Sequence, residues 1–264
     1  MESSPKNDRL AYITAQEVRK FLDEIRDHRM DVKEIGFTGG EPFMNPEIID
    51  ILSDCLEAGF EVLVLSNAMK PLHHKKAELL QLKDRFGDKL GLRVSIDHYI
   101  QADHEMLRGE GSWAPMIEGL SWLAQNGFKL AIAGRTLWHE DDATERAGYA
   151  DMFRKEGIPV DAHDPMSLVL FPEMDEQADV PEITGACWDI LGVQPDAMMC
   201  ATSRMVIKRK EADSPVVVPC TLLPYDEQFE MGSSLVGADK EVRLNHPHCA
   251  KFCVLGGGSC SKAD

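Results

Sequence analysis

Cysteine is nearly absent from the first two thirds of this chain: only Cys55 precedes Cys187, and the other six of the seven fall between Cys187 and Cys260. A three-thiolate centre therefore cannot be built from residues 1–186. With no export signal in view, the clustered C-terminal thiols point to metal ligation rather than to disulfides. Basic residues are also scarce, 28 Lys and Arg against 45 Asp and Glu, for a formal net charge of −17. That balance argues against a nucleic-acid backbone or an anionic membrane surface as the main partner. No apolar run approaches the ~20 residues that span a bilayer, and the N-terminus lacks the apolar segment of a signal peptide, so a cytoplasmic location is expected. No nucleophile sits in a recognisable strand–turn–helix elbow, which leaves an ordinary β/α-barrel hydrolase or aldolase without support.

What is present fits a globular protein: 264 residues, 44% hydrophobic and 28% charged, enough for one substantial core or a core with a small appendage. Thr14 and Glu17 fit a capping box, and Val18, Phe21, Leu22 and Ile25 give a helical stripe to about Arg29. Strands and helices then alternate. Strands are expected at 34–37, 60–65, 90–96, 129–133 and from about Pro159. Helices are expected at 46–58 (capped by Asn45), 75–86, 112–126 and 143–155. Cys55 falls on the apolar face of the second helix and reads as a core residue. Strands apolar on both faces, alternating with amphipathic helices, argue for parallel β/α units around one sheet. Ser167 to Phe171 reads as a short strand leaving that unit. The acidic stretch beyond it places a boundary near Asp175, giving domains 1–175 and 176–264.

The most informative stretch is Glu34 to Pro42. Ile35 and Phe37 carry the alternation of a short strand, Gly39 and Gly40 allow a sharp bend with close ligand approach, and Pro42 biases Glu41 towards extended backbone. A strand, a diglycine turn ending in a carboxylate and then a helix is how an α/β protein builds a small-molecule site at its strand C-termini. Gly39-Gly40-Glu41-Pro42 resembles the Gly-Gly-Glu-Pro motif of radical S-adenosylmethionine enzymes, where this strand end holds the amino group of the cofactor's methionine moiety. Asn67 matches that family's Thr-Asn-Gly turn, and Ser95 with Asp97 its Ser-Leu-Asp turn. His104, Arg108-Gly109 and Gly111-Ser112 resemble a segment of its peptide-modifying branch, with Glu105 in place of Asp.

The resemblance implies an α/β fold, a partial (β/α)6 TIM-type barrel missing its first strand, followed by a small cysteine-rich module. It implies S-adenosyl-L-methionine as cofactor, held by Gly39, Gly40, Glu41 and Pro42 with Asn67, Ser95, Asp97 and Arg135 as further contacts. It also implies a 4Fe–4S cluster on a Cys-x-x-x-Cys-x-x-Cys loop after the first strand. No cysteine precedes Cys55 here, so this sequence reads as a piece of a longer protein or as one whose start was placed too late. The implied chemistry is one-electron cleavage of the sulfonium to a 5′-deoxyadenosyl radical, which abstracts a hydrogen from a peptide or small-molecule substrate. Flavodoxin or ferredoxin is the expected electron donor.

In the tail, Cys249 and Cys253 are four apart and Cys260 follows a triglycine. The segments around 205–208 and 215–220 read as a hairpin that delivers Cys220. This looks like the SPASM or twitch auxiliary-cluster modules of the same family. Cys200, Cys220, Cys253 and Cys260 are the favoured ligands and Cys249 a close substitute. Structural zinc, with His246 or His248 beside Cys249, and unliganded thiols remain alternatives. The rival to an enzyme is a binding or scaffold protein that keeps the barrel without radical chemistry.

Overall fold

The computed structural model describes residues 7–136, 140–172 and 179–255. The chain forms two compact units, one of residues 31–171 and one of residues 1–30 together with 172–264. It opens with a two-residue strand, β1 (Leu10–Ala11), and helix α1 (Ala15–Asp27). The expected capping box is present: the Thr14 hydroxyl oxygen accepts from the Glu17 amide at 3.2 Å, and Glu17 accepts from the Thr14 amide at 2.9 Å.

The 31–171 unit runs β2 (Glu34–Phe37), α2 (Ile48–Glu57), β3 (Glu61–Ser66), α3 (Lys70–His73), α4 (Lys76–Phe86), β4 (Leu90–Ser95), α5 (Gln101–Arg108), α6 (Trp113–Gln125), β5 (Lys129–Thr136), α7 (Asp142–Glu156) and β6 (Leu168–Pro172). The five strands lie in sequence order as one curled parallel sheet, a partial TIM-type barrel. Central β4 is buried from Leu90 through Val94, whereas β2 at the edge alternates exposed and half-buried residues. The double burial explains why β4 reads as a continuous apolar run, while β3 alternates buried and half-buried residues.

Three expectations need correction. Asn45 does not cap the second helix. Its Oδ1 accepts from the Glu47 amide at 3.0 Å in a local turn, and α2 begins only at Ile48. No strand begins at Pro159; Asp161 and Asp164 instead accept from the amides of His163 and Met166 at 2.8 and 3.0 Å, building turns that the two flanking prolines favour. The Ser167–Phe171 segment, read as an exit, is the last strand of the barrel sheet: the Ile132 amide donates to the Ser167 carbonyl at 2.7 Å, and β6 lies beside β5.

The second unit continues with α8 (Ala186–Leu191), α9 (Met199–Thr202), β7 (Met205–Arg209) and β8 (Val216–Val218). The expected hairpin forms, with Met205 opposite Val218, and β1 adds antiparallel to β7 with Leu10 opposite Arg209. Glu17 on α1 accepts from the Lys208 ammonium at 2.6 Å, and Glu24 accepts from the Leu235 and Val236 amides at 3.0 and 2.9 Å. Val217, Met231 and Ala238 form a small core against which Phe21 of α1 packs.

Candidate functional site

The diglycine bend stands at the C-terminal end of β2. Gly39 has φ +141°, a conformation that side-chain-bearing residues avoid, and a Cβ added to either Gly39 or Gly40 would meet nothing within 4 Å. The bend therefore faces open space. Glu41 behind it is extended, as Pro42 dictates, and only 7% exposed. Its Oε1 accepts from the Phe43 amide (3.2 Å) and the Ser66 hydroxyl (3.0 Å). Its Oε2 accepts from the same hydroxyl (3.2 Å) and the Asn67 amide (2.8 Å).

Those contacts account for the roughly four lone-pair positions of a carboxylate. Glu41 thus caps the 3₁₀ turn Pro42–Met44 and straps the bend to the end of β3. Burial pushes its carboxyl up, against the opposing pull of the Asn67 and Phe43 amides, Ser66 and the charge of Arg108. The backbone of Gly39 and Gly40 is what remains to face a ligand.

Asn67 turns its side chain onto its own loop, accepting from the Met69 amide at 2.9 Å, while Ala68 adopts φ +55°. Gly119 of α6 lies directly on this turn, where an added Cβ would sit 1.9 Å from the Ala68 carbonyl oxygen. Ser95, half-buried, ends β4 opposite Ala133 of β5. Asp97 two residues on is buried and accepts from Arg108 Nε at 2.7 Å and Nη2 at 3.0 Å, with Arg135 Nε at 3.4 Å from its Oδ1. The Arg135 amide also donates to the Asp97 carbonyl at 3.2 Å.

Burial would raise the Asp97 carboxyl, but Arg108 first and then Arg135 hold it below 3.8. Two guanidiniums bring positive charge to the one Asp97 carboxylate, and Arg108 also lies within electrostatic reach of Glu41. His104 adds none: fully buried, edge-on to Trp113 at 5.4 Å and beside the Arg108 charge, it is pushed down to about 4. Arg108 was not among the expected cofactor contacts, although the Arg108-Gly109 match pointed at it. Ser66, which opens the Ser-Asn-Ala turn matched to Thr-Asn-Gly, was likewise not among the expected contacts.

The cysteines are gathered less tightly. Cys55 is fully buried in α2 and pushed up to about 12 by that burial, a core thiol as expected. Cys220 and Cys249 are buried and Cys200 half-buried; burial raises all three thiols, Cys220 to about 12, and each lies within electrostatic reach of another of the three. Cys253 is buried on the π-helical turn Cys249–Val254 that also carries Cys249. Cys260 lies outside the described residues. Among the described residues no three His, Cys, Asp or Glu side chains form a group spaced to hold a metal ion.

A curled parallel sheet with an open glycine bend at a strand C-terminus is the layout in which β/α proteins place a small-molecule site. Residues 2–147, more than half of the chain, match the family model described as the radical SAM superfamily. The chain belongs to that superfamily. No curated protein matches it. Among solved structures, Streptococcus suis SuiB bound to S-adenosylmethionine aligns with a TM-score of 0.57 at 12% identity, covering 86% of this chain and 58% of SuiB. SuiB bound to precursor peptide SuiA gives 0.44 at 14% identity over 56% of this chain and 31% of SuiB. TYW1 with a lysine-pyruvate adduct gives 0.39 at 14% identity over 62% and 52%. At such identities the likeness speaks for the fold alone, and the chain spans less than two thirds of these relatives' lengths.

Proposed function

We propose that this chain is the cofactor-binding part of a radical S-adenosylmethionine enzyme acting on a peptide or small molecule. Residues 31–171 form its barrel unit, and residues 172–264 with the first 30 its cysteine-bearing unit. The observation that carries the reading is the open Gly39–Gly40 bend, strapped by Glu41 to Ser66 and Asn67, with Arg108 within electrostatic reach of Glu41. The bend's backbone carbonyls take the methionyl ammonium, and Arg135 and Arg108 take its carboxylate, a charge-assisted arrangement in a half-buried site. Asp97 positions both arginines rather than touching the cofactor. Bound S-adenosylmethionine, on one-electron reduction, supplies the 5′-deoxyadenosyl radical that abstracts a substrate hydrogen.

The peptide class draws on the His104 to Ser112 segment and on SuiB, a protein captured with a precursor peptide. Flavodoxin or ferredoxin is the electron donor of this proposal and the cytoplasm its compartment. Among the described residues no helix is long and apolar enough to cross a membrane.

The described residues do not fit the radical cluster: Cys55, their one thiol before Cys187, is sealed in α2. This chain alone is accordingly expected to bind S-adenosylmethionine without cleaving it. The same observation favours the second reading, a barrel that binds without radical chemistry. For the tail, an iron–sulfur centre on Cys200, Cys220 and Cys249, or zinc beside His246 and His248, would require these side chains to draw together, since no three of the described ones stand spaced for a metal ion. Equilibrium dialysis under anaerobic conditions tests the main reading. Micromolar retention of S-adenosylmethionine, weakened about tenfold or more in Arg135→Met, is expected. Equal retention by the variant, or none by the wild type, would sink it. Metal analysis of the same samples separates iron and sulfide from zinc.

A further inference from the structure

Glu145, in the first turn of α7, is 1% exposed, and neither of its carboxyl oxygens has a hydrogen-bond partner. Its neighbour Arg146 turns away, its guanidinium held by Asp142 at 2.8 Å and by the carbonyls of Ala162 and Leu168 at 2.8 and 3.2 Å. Glu140, Asp141 and Asp142 also face Glu145, and all are negative. An ionised carboxylate in that position would have neither water nor a paired cation, so the neutral form is favoured.

Beside it stands a clasp. The Tyr99 hydroxyl donates to Glu140 at 2.9 and 3.1 Å, joining the loop after β4 to the loop after β5. The Tyr99 ring lies on Gly148 of α7, where a Cβ would sit 2.4 Å from it, and meets Tyr149 edge-on at 5.6 Å. Tyr149 in turn donates to the Ile96 carbonyl at 2.7 Å. His98 stacks on Tyr99 at 4.2 Å and lies 3.4 Å from Asp103 of α5, and the Asp97 charge acts on Tyr149.

We propose that Glu145 carries a proton in this closed arrangement and acts as a pH-sensitive catch. Losing the proton sets Glu145 and Glu140 against each other around Tyr99 and loosens the Tyr99–Glu140 bond that ties the segment of Asp97 to the start of α7. The inference goes beyond the cofactor reading and does not depend on it. Burial first, then the charges of Glu140 and Asp142, raise Glu145 from 4.5 to about 7. Burial and the bond to Glu140 push Tyr99 up to about 12, so it stays a donor throughout. The sign follows from linkage. A raised carboxyl stabilises the fold fully below the unfolded value of 4.5, and that contribution disappears as pH rises to about 7. Across the window the folded state holds one extra proton, so the folded-to-unfolded ratio falls about tenfold per pH unit from this group.

The experiment compares urea unfolding of the wild type and Glu145→Gln between about pH 5 and 8, with amide hydrogen exchange read at 96–100 and 140–146. The wild type is expected to lose stability with rising pH more steeply than the variant below about pH 7, and its exchange in both segments to outpace the variant's above it. Identical pH slopes, or exchange ratios that do not change with pH, would overturn the catch. If Glu145→Gln does not fold, infrared spectra of wild type with labelled glutamate decide: a protonated-carboxyl band at pH 6 that fades by about pH 8 supports it, and no such band at pH 6 overturns it. Failure to bind S-adenosylmethionine would leave the pH slope as it is, so the two readings fail separately.

Discussion

Asp97→Asn removes the charge that holds Arg108 and Arg135 at neighbouring strand ends while keeping the side chain's shape. Asp97 has 6% of its side chain exposed, and Arg108 and Arg135 have 25% and 28%. Removing one partner of a buried ion pair costs about 3–5 kcal/mol; the water-facing edges of the two guanidiniums bring the expectation to ~3 kcal/mol. At a urea m-value of about 2 kcal/mol/M the unfolding midpoint should fall by roughly 1.5 M, followed by tryptophan fluorescence. Adding Arg108→Met should cost less in the variant than in wild type, a coupling of ~1–3 kcal/mol. Because the Asp97 carboxyl is held below 3.8, its contribution is present at neutral pH and lost as pH falls through that depressed value. A midpoint within about 0.3 M of wild type together with zero coupling would refute the claim that Asp97 fixes the arginines.

Three further substitutions probe the bend and the turn after β3. Gly119→Ala forces a methyl to 1.9 Å from the Ala68 carbonyl oxygen, and backbone offers no easy relief; a loss of ~3 kcal/mol or more is expected by thermal or urea unfolding. Gly40→Ala, with nothing within 4 Å, should cost less than about 0.5 kcal/mol by the same assay. Ser66→Ala takes a hydroxyl from both oxygens of Glu41. It should cost ~1.5 kcal/mol and raise the Glu41 carboxyl further, read by carbon NMR of that side chain.

The barrel was readable from residues because its strands are buried along their length or on alternate residues and its helices on one face, which imposes separate periods on the chain. Gly39 was readable because bending at that point, with φ +141°, needs glycine. Positions set by tertiary contact were not. The sequence around Pro159 had the apolar content of a strand, but aspartate turns won there and the strand formed only from Leu168. Asp97 looked like a ligand contact from its motif, and its pairing with Arg108 eleven residues on became visible only when α5 folded back. Glu145 resembled any first-turn acid. Its burial comes from packing that no local pattern encodes.

Glu24 and Phe21 carry a practical consequence for anyone dividing this protein. Helix α1 is near in sequence to the barrel, yet its carboxylate holds the Leu235–Val236 backbone and its ring covers the small apolar centre around Val217. A tail fragment cut at residue 176 would lose both supports along with the pairing strand Leu10–Ala11. Supplying the first 30 residues as a separate peptide should restore it by complementation, so the chain's opening segment works as a detachable keystone for its closing one.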